Sequence, residues 1–359
     1  MKKINNKRTK IAVFYGGVIS KHLVMVRQAA REMGVDLSLI SYNQVCFDTE
    51  SGKIKIRTKN FEDKETEGMD VNDFDVVFFR TTGKHWEEVD LVLEAIRKGA
   101  EKPGTRSART PVVVDPMVVE GKPSYACKAW QMLKLSEAGI DVPKTIYGSL
   151  WYLYGVMENQ TNLSRNNFSS LQDRDVFRLQ KNVTSKDLQI HFPVILKGSG
   201  GDRGTRVFKA DSLDELEVLV RDLRKTETEE GKRYMLQEFI ENDGDYRVLV
   251  LGKKVLGVMK RSSQSKTEFK NNYSVGGKVE VADLPKEIKE LAVKAAEVCG
   301  LWVAGVDVAF RNFDKSRPVI WEVNKGPQFR GFMQATGIDV PKEIVRFLVS
   351  LSNVEKNSP

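Results

Sequence analysis

Asp307, Glu322 and Asn324 are oxygen-bearing side chains that a hairpin near the C-terminus would bring onto one surface. The runs 303–310 and 319–324 alternate in the manner of half-buried strands. In the first, Val306 and Val308 point one way while Gly305, Asp307 and Ala309 point the other. In the second, Val319, Trp321 and Val323 share a face, and Ile320, Glu322 and Asn324 share the opposite one. The polar run 311–317 between them suits a hairpin loop. Folding about the middle of that loop sets Asp307 opposite Glu322 and Gly305 opposite Asn324. Two carboxylates directly opposite repel, so this pairing is unfavourable unless a cation lies between them. Two carboxylates and an amide, with no His or Cys nearby, suit Mg²⁺, which keeps several waters and takes phosphate oxygens as further ligands. A solvated polar face of an amphipathic hairpin would give the same pattern, and this stretch alone leaves both readings open.

A second chemistry-bearing stretch is Gly198-Ser199-Gly200-Gly201-Asp202-Arg203-Gly204, whose glycines allow backbone N–H groups to approach a phosphate closely. It lacks the Gly-Lys-Ser/Thr ending of a P-loop and runs into a strand, and Arg203 stands where a dinucleotide fingerprint needs its third glycine. Turn chemistry alone also explains such loops. Lys197 ends the apolar run 193–196, where a charge is costly without an anion to pair with, although a lysine reaching to solvent from a strand end would look the same. Glu238 and Phe239 end another apolar run, and Asp245 follows a glycine turn, placed either to take ribose hydroxyls or to cap the turn.

In this order the pieces resemble the ATP-grasp superfamily, in particular its RimK-like branch of carboxylate–amine ligases, the ribosomal-protein glutamate ligase type. The resemblance runs from about residue 122 to residue 347. It is carried by Lys128 with Ala138-Gly139-Ile140-Asp141-Val142-Pro143, by 193–204, by Gln237-Glu238-Phe239-Ile240, and by Asp245-Tyr246-Arg247 and Lys260-Arg261. Phe269-Lys270-Asn271-Asn272, Gly276-Gly277, Gly305-Val306-Asp307-Val308, Glu322-Val323-Asn324 and Thr336-Gly337-Ile338-Asp339 complete it.

The resemblance implies an α/β (α+β) ATP-grasp fold, in which an N-terminal parallel-sheet domain precedes two α+β subdomains that sandwich ATP. It implies that Lys128, Lys197, Gly200 and Gly201 hold nucleotide phosphates, that Glu238 and the Phe239 backbone contact adenine, and that Asp245 lies near the ribose. Arg261, Lys270 and Asn272 would surround the transferred phosphate, with Arg261 stabilising a tetrahedral oxyanion. Asp307, Glu322 and Asn324 would bind Mg²⁺, as two ions, with Mn²⁺ as an alternative. The implied reaction is ATP-dependent joining of a carboxylate to an amine through an acylphosphate, on an amino acid, peptide or protein terminus. A small-metabolite ligase of the glutathione-synthetase type and a nucleotide-binding module without ligation are the alternatives. Cys127, Lys270 and the run Lys325-Gly326-Pro327 depart from the family pattern and line the acceptor side, so substrate identity does not carry over. Arg261, Lys270, Lys325 and Arg330 are expected at the cleft mouth, where some would serve a second anion, the acid substrate.

The elements that must position these groups follow from the pattern of the rest of the chain. Residues 10–15, 36–42, 75–79 and 111–114 read as strands, and 20–33 and 86–98 as helices. Strands alternating with helices imply a parallel sheet with ligands at the strand C-termini. Arg80 follows one such end, either to contact a substrate or as a solvated loop arginine. Further helices are expected at 126–138, 213–223, 286–299 and 340–350, strands at 193–197, 205–209 and 234–240, and a hairpin over Gly252 from 245–251 and 254–260. The stretch 149–185, rich in Asn, Gln and Ser, reads as an insertion with at most a helical turn at 151–157. Domain boundaries are expected at 1–115, 116–236 and 237–352.

With 359 residues, 41% hydrophobic and 30% charged, the chain has the composition of a globular protein. No apolar run approaches the roughly 18 residues of a membrane helix, and the basic start followed by the apolar run 11–15 reads as a first strand and not a signal peptide. Three scattered cysteines argue for reduced thiols in a cytoplasm, and three scattered histidines show no zinc site. The net charge of +8 favours anionic partners, but it is dispersed and not interleaved with aromatics, so neither nucleic acid nor membrane is expected; a homo-oligomer stays open.

Overall fold

The structure is a computed structural model that describes residues 8–47, 54–56, 69–100, 110–120, 127–165, 189–198, 206–226, 233–242, 244–262 and 278–354. Gly200, Gly201, Lys270 and Asn272, with most of the glycine loop, lie outside the described residues, as do 166–185 of the expected insertion.

The N-terminal unit is built from β1 (Lys10–Tyr15), α1 (Lys21–Glu32), β2 (Asp36–Ser41), β3 (Val45–Phe47), β4 (Ile54–Ile56), β5 (Val76–Phe79), α2 (Trp86–Ala100), β6 (Val112–Val114) and α3 (Pro116–Val119). Its parallel sheet has the order β2-β1-β5-β6. The chain therefore moves outward from β1 to β2 and then crosses back to β5 on the other side of β1, so the strand order reverses between β1 and β5. Both faces of the sheet are buried, which is why its strands read as continuous apolar runs. Ile11, Val13, Val76 and Phe78 pack with Leu23, Val26, Ala29 and Ala30 of α1. Ala12, Phe14, Val77 and Phe79 pack on the other face with Val89, Val92 and Ile96 of α2. Ser20 starts α1 by accepting the Leu23 N–H through its hydroxyl, and Gly34 at positive φ ends it.

After α4 (Lys128–Glu137), an antiparallel sheet of order β7-β10-β8-β9 combines β7 (Thr145–Gly148), β8 (Val194–Gly198), β9 (Val207–Ala210) and β10 (Tyr234–Glu238). Two helices, α5 (Leu150–Arg165) and α6 (Leu213–Thr226), cover it. The helical turn expected at 151–157 is a helix of 16 residues. It extends beyond the expected turn because Leu150, Leu153, Tyr154 and Met157 recur at helical spacing and close the core of this sheet with Leu216 and Val220.

The C-terminal unit has β11 (Asp245–Leu251), β12 (Lys254–Ser262), β13 (Lys278–Ala282), α7 (Lys286–Val298), β14 (Val303–Phe310), β15 (Pro318–Lys325), α8 (Arg330–Thr336) and α9 (Val340–Val354). Its antiparallel sheet runs β13-β12-β11-β14-β15. One face packs on Ile288, Ala292, Ala295 and Ala296 of α7 and the other on Phe332, Ile344, Val345 and Leu348 of α8 and α9. These two clusters also contain the two faces of the N-terminal sheet, whereas the β7–β10 sheet keeps a core of its own.

The β14–β15 hairpin pairs Asp307 with Glu322 and Gly305 with Asn324, as its alternation predicts. Nearer the loop the register shifts, and Val308 pairs with Ile320. Trp321 is the extra residue of a bulge, so Ile320 does not share the polar face of Glu322 and Asn324; it packs in the same cluster as Val306, Val308 and Val323.

Candidate active site

Strand register assembles a row of charge across three strands. Arg247 of β11 lies opposite Asp307 of β14, which lies opposite Glu322 of β15. One step along, Asp245 of β11 lies opposite Arg261 of β12. Period-two alternation puts these side chains on one face, and the neighbouring row is kept small by Gly305. A Cβ at Gly305 would come within 2.8 Å of Pro327 Cβ and 3.6 Å of Arg247 Cδ.

The cation demanded by two facing carboxylates is supplied in part by the protein itself. Arg247 donates two parallel hydrogen bonds to Asp307, Nε to Oδ1 at 2.8 Å and Nη2 to Oδ2 at 2.7 Å. Arg261 Nη2 lies 3.0 Å from Asp307 Oδ2, and Asn324 Nδ2 donates to that oxygen at 3.0 Å. Burial would raise the Asp307 carboxyl, but Arg247 and Arg261 outweigh it and hold it down at about 2. Arg261 is buried between Asp245 and Asp307 and pairs closely with Asp245; burial opposes its charge, and the two carboxylates win and push its pKa up. The Asp245 carboxylate is fully buried against Arg261, so it is enclosed by the guanidinium it pairs with.

Glu322 has a different surrounding. It is half-buried, and Lys128 Nζ at the first turn of α4 lies 3.2 Å from its Oε1. Lys197, on β8 of the neighbouring sheet, is pushed down to about 8 by burial; Glu322 and Asp307 favour its charge and Lys128 opposes it. The two expected phosphate lysines and the hairpin carboxylates therefore share one electrostatic neighbourhood. Among the described residues both side-chain hydrogen bonds of Asn324 use Nδ2, towards Asp307 and Gly305 O, which leaves its Oδ1 as an oxygen ligand. Glu322, Asn324 Oδ1 and Asp307 Oδ1, which accepts from Arg247 Nε alone among the described residues, form a hard-oxygen set that fits Mg²⁺.

Glu238 ends β10 and accepts from the Lys144 N–H and from Arg311 Nη1, each at 2.8 Å. The Phe239 N–H donates to Pro193 O at 3.3 Å. Arg330 opens α8 and is exposed, while Lys325 is half-buried and burial pushes it down to about 8. Arg80 is no solvated loop arginine: it is 8% exposed and donates to Gly326 O at 3.1 Å.

Sequence reasoning gave no role to Arg247 and passed over Arg311. Arg247 is legible as the second charged residue in a strand two positions from Asp245. Arg311, in the hairpin loop, reaches Asp141, Val142 O and Glu238, which no local pattern signals.

Residues 169–348 match the model of the RimK-like ATP-grasp domain. The chain belongs to that family. Over 158 residues the chain is 37% identical to a probable alpha-L-glutamate ligase of Syntrophotalea carbinolica, covering 44% of this chain and 50% of that protein. A protein of the same description from Halorhodospira halophila is also 37% identical over 158 residues, with the same coverage. The chain thus matches about half the length of these curated relatives. The ATP-grasp ligase PsnB, in a structure with a phosphomimetic variant of a minimal precursor, Mg and ADP, superposes with a TM-score of 0.62 at 16% identity, over 96% of this chain and 99% of that one. A RimK domain ATP-grasp protein of Sphaerobacter thermophilus gives 0.58 at 16%, over 94% and 99%. D-alanine–D-alanine ligase of Bacillus anthracis gives 0.56 at 15%, over 97% and 99%. At these identities the likeness is one of fold, and that fold is the ATP-grasp ligase fold expected from the sequence.

Proposed function

We propose that this RimK-like protein is an ATP-dependent carboxylate–amine ligase that joins an amino acid, with L-glutamate the first candidate, to the carboxylate of a peptide or protein terminus. The observation that carries the reading is the convergence of Lys128 and Lys197 on the hairpin carboxylates Asp307 and Glu322. Two lysines beside two carboxylates and a free amide oxygen suit a polyphosphate bridged to a divalent cation. The names of the relatives support glutamate, and the PsnB complex supports ATP with Mg²⁺.

In this reading Lys197 and Lys128 neutralise phosphate charge, and Gly200 and Gly201 bring backbone N–H groups to the same phosphates. Glu238 and the Phe239 backbone edge receive the adenine. Glu322, Asn324 and Asp307 hold Mg²⁺, whose chemistry when bound is to neutralise the phosphate oxygens. The γ-phosphoryl group passes to a substrate carboxylate oxygen and ADP departs. The amine nitrogen then attacks the acyl carbon, its proton leaves, and the C–O bond to phosphate breaks to give the amide. Arg261, held charged by Asp245 and Asp307, stabilises the oxyanion of that second step, together with Lys270 and Asn272. Asp245 orients Arg261, a role its burial supports in place of a ribose contact.

The test is an ADP-release screen pairing amino acids with carboxyl-terminal peptides in the presence of Mg²⁺, with mass spectrometry of the products. A product heavier by one or more amino-acid residues is the expected result. ADP release independent of any acid and amine would contradict ligation.

A further inference from the structure

The guanidinium of Arg80 is buried over the Phe78 ring, 5.6 Å from its centroid, with few polar partners among the described residues. It is 8% exposed, and burial pulls its pKa down to about 10. Among the described residues it donates one hydrogen bond, to Gly326 O. A guanidinium carries five N–H donors, and a buried one normally finds partners for most of them. Gly326 is at positive φ, and a Cβ there would lie 2.7 Å from Arg80 Cζ, so glycine is required for this approach. Thr81, next in sequence, holds a left-handed conformation at φ 48 with its hydroxyl accepting the Gly16 N–H.

A second cation and a hydroxyl adjoin it. Lys325 Nζ lies 3.4 Å from Thr82 Oγ1, and Thr82 is itself buried. The carboxylate of Asp115 stands near both cations. Its Oδ1 accepts the Trp302 and Val303 N–H groups, and its Oδ2 has no hydrogen-bond partner among the described residues. Among the described residues most of the N–H donors of Arg80 remain unused beside this carboxylate. Arg80 also lines a small recess with Val13, His22, Leu23, Phe78 and Phe329, a mostly apolar surrounding that strengthens its attraction for an anion.

The place matters as much as the charge. Arg80 follows β5 and Gly16 follows β1, the two strands between which the order of the parallel sheet reverses. Open α/β sheets bind ligands outside the strand C-termini at that reversal. Opposite it stand Lys325 and Gly326, immediately after Asn324 of the candidate metal site.

We propose that Arg80, Thr82 and Lys325 form a carboxylate-binding subsite that holds a free, non-reacting carboxylate of the amine-bearing amino acid. This rests on the ligase reading for the identity of that substrate. The planar fork of Arg80 suits a carboxylate held through two oxygens, with Lys325 adding charge and Thr82 a hydroxyl donor. The subsite keeps one carboxylate of an amino acid bound while its amine faces the reacting centre beyond Asn324, and it selects amino acids over simple amines.

The test is calorimetric titration with the nonhydrolysable ATP analogue AMPPNP and Mg²⁺ present. The probes are L-glutamate, its α-amide isoglutamine, its γ-amide glutamine and the diamide. The wild type should bind L-glutamate about 30-fold or more tightly than one of the mono-amides and the diamide. Arg80→Gln should lose that preference while keeping AMPPNP affinity, and Arg80→Lys should recover part of it. Thr82→Val, a smaller change, should weaken glutamate several-fold with an unchanged melting temperature, and so covers the case in which Arg80→Gln does not fold. Equal binding of glutamate and diamide by the wild type, or an undiminished preference in Arg80→Gln or in Thr82→Val, overturns the subsite. Turnover in the ADP-release screen with an unchanged KM for the amine substrate in the Arg80 variant would remove the subsite and leave the ligase standing. Arg80-dependent carboxylate binding without any wild-type turnover would do the reverse.

Discussion

Arg311 Nη1 lies 2.8 Å from Glu238 Oε1, and the same guanidinium grips Asp141 through Nε at 2.8 Å and Nη2 at 3.0 Å. The β14–β15 hairpin loop thereby fastens the end of β10 and the segment before β7. The β7–β10 sheet keeps its own core, so this clamp is one of the contacts that set its position over the hairpin carboxylates. Arg311→Ala should raise the KM for ATP about 5- to 30-fold, the effect of losing about 1–2 kcal/mol of charged hydrogen bonding. The kcat should fall less, because the carboxylates and lysines remain. Steady-state kinetics with ATP as the varied substrate checks this, and Arg311→Lys should restore only part of the loss.

Glu322→Gln should remove Mg²⁺-dependent turnover by at least about a hundredfold while moving the melting temperature by only a few degrees. The residue is half-buried and among the described residues pairs with one lysine, so its contribution to stability is modest. A rate that persists, or a collapse of cooperative unfolding, would each show that Glu322 has another role.

Lys197 gives the site a pH dependence of known sign. Its amine is held down at about 8, below the ordinary 10.5, so it carries its charge at pH 7 and loses it as the pH rises through 8. The affinity for ATP should therefore weaken between pH 7 and pH 9. Lys197→Arg, which stays protonated, should flatten that profile even where its affinity is lower overall. Binding of AMPPNP measured across this range decides the point.

Asp307 has the opposite sense. Its carboxyl is held at about 2 against an ordinary 3.8, so its ionised form stabilises the fold above pH 4, and that stability is lost as the pH falls through 2. The difference corresponds to roughly 2 kcal/mol. Arg247→Leu should cost more, about 3–5 kcal/mol, because it leaves a buried carboxylate with one of its two arginine partners. Urea unfolding of wild type and variant at neutral and acid pH measures both effects.

Much of the site was legible because its parts are local. The pairing of Asp307 with Glu322 follows from strand alternation and a polar loop, and it holds in the structure. The bulge at Trp321 was not legible, because an extra residue in a strand is decided by which side chains the core accepts, here Ile320 beside Val306 and Val308. The length of α5 was hidden by Asn, Gln and Ser in its second half, residues whose helical state depends on the packing of Leu150, Leu153 and Met157. Arg247 and Arg311 found partners 60 and 170 positions away, separations over which sequence pattern carries no information. The burial of Arg80 likewise depends on Gly326, which arrives from the far end of the chain.

The central claim, that a carboxylate is phosphorylated before an amine displaces phosphate, has a direct test. An acid substrate found by the screen is labelled with ¹⁸O in its carboxyl group and turned over with ATP and the amine. The account predicts that one ¹⁸O atom per turnover appears in the released inorganic phosphate. Release of ADP with unlabelled phosphate, the label remaining wholly in the acid or amide, would contradict it.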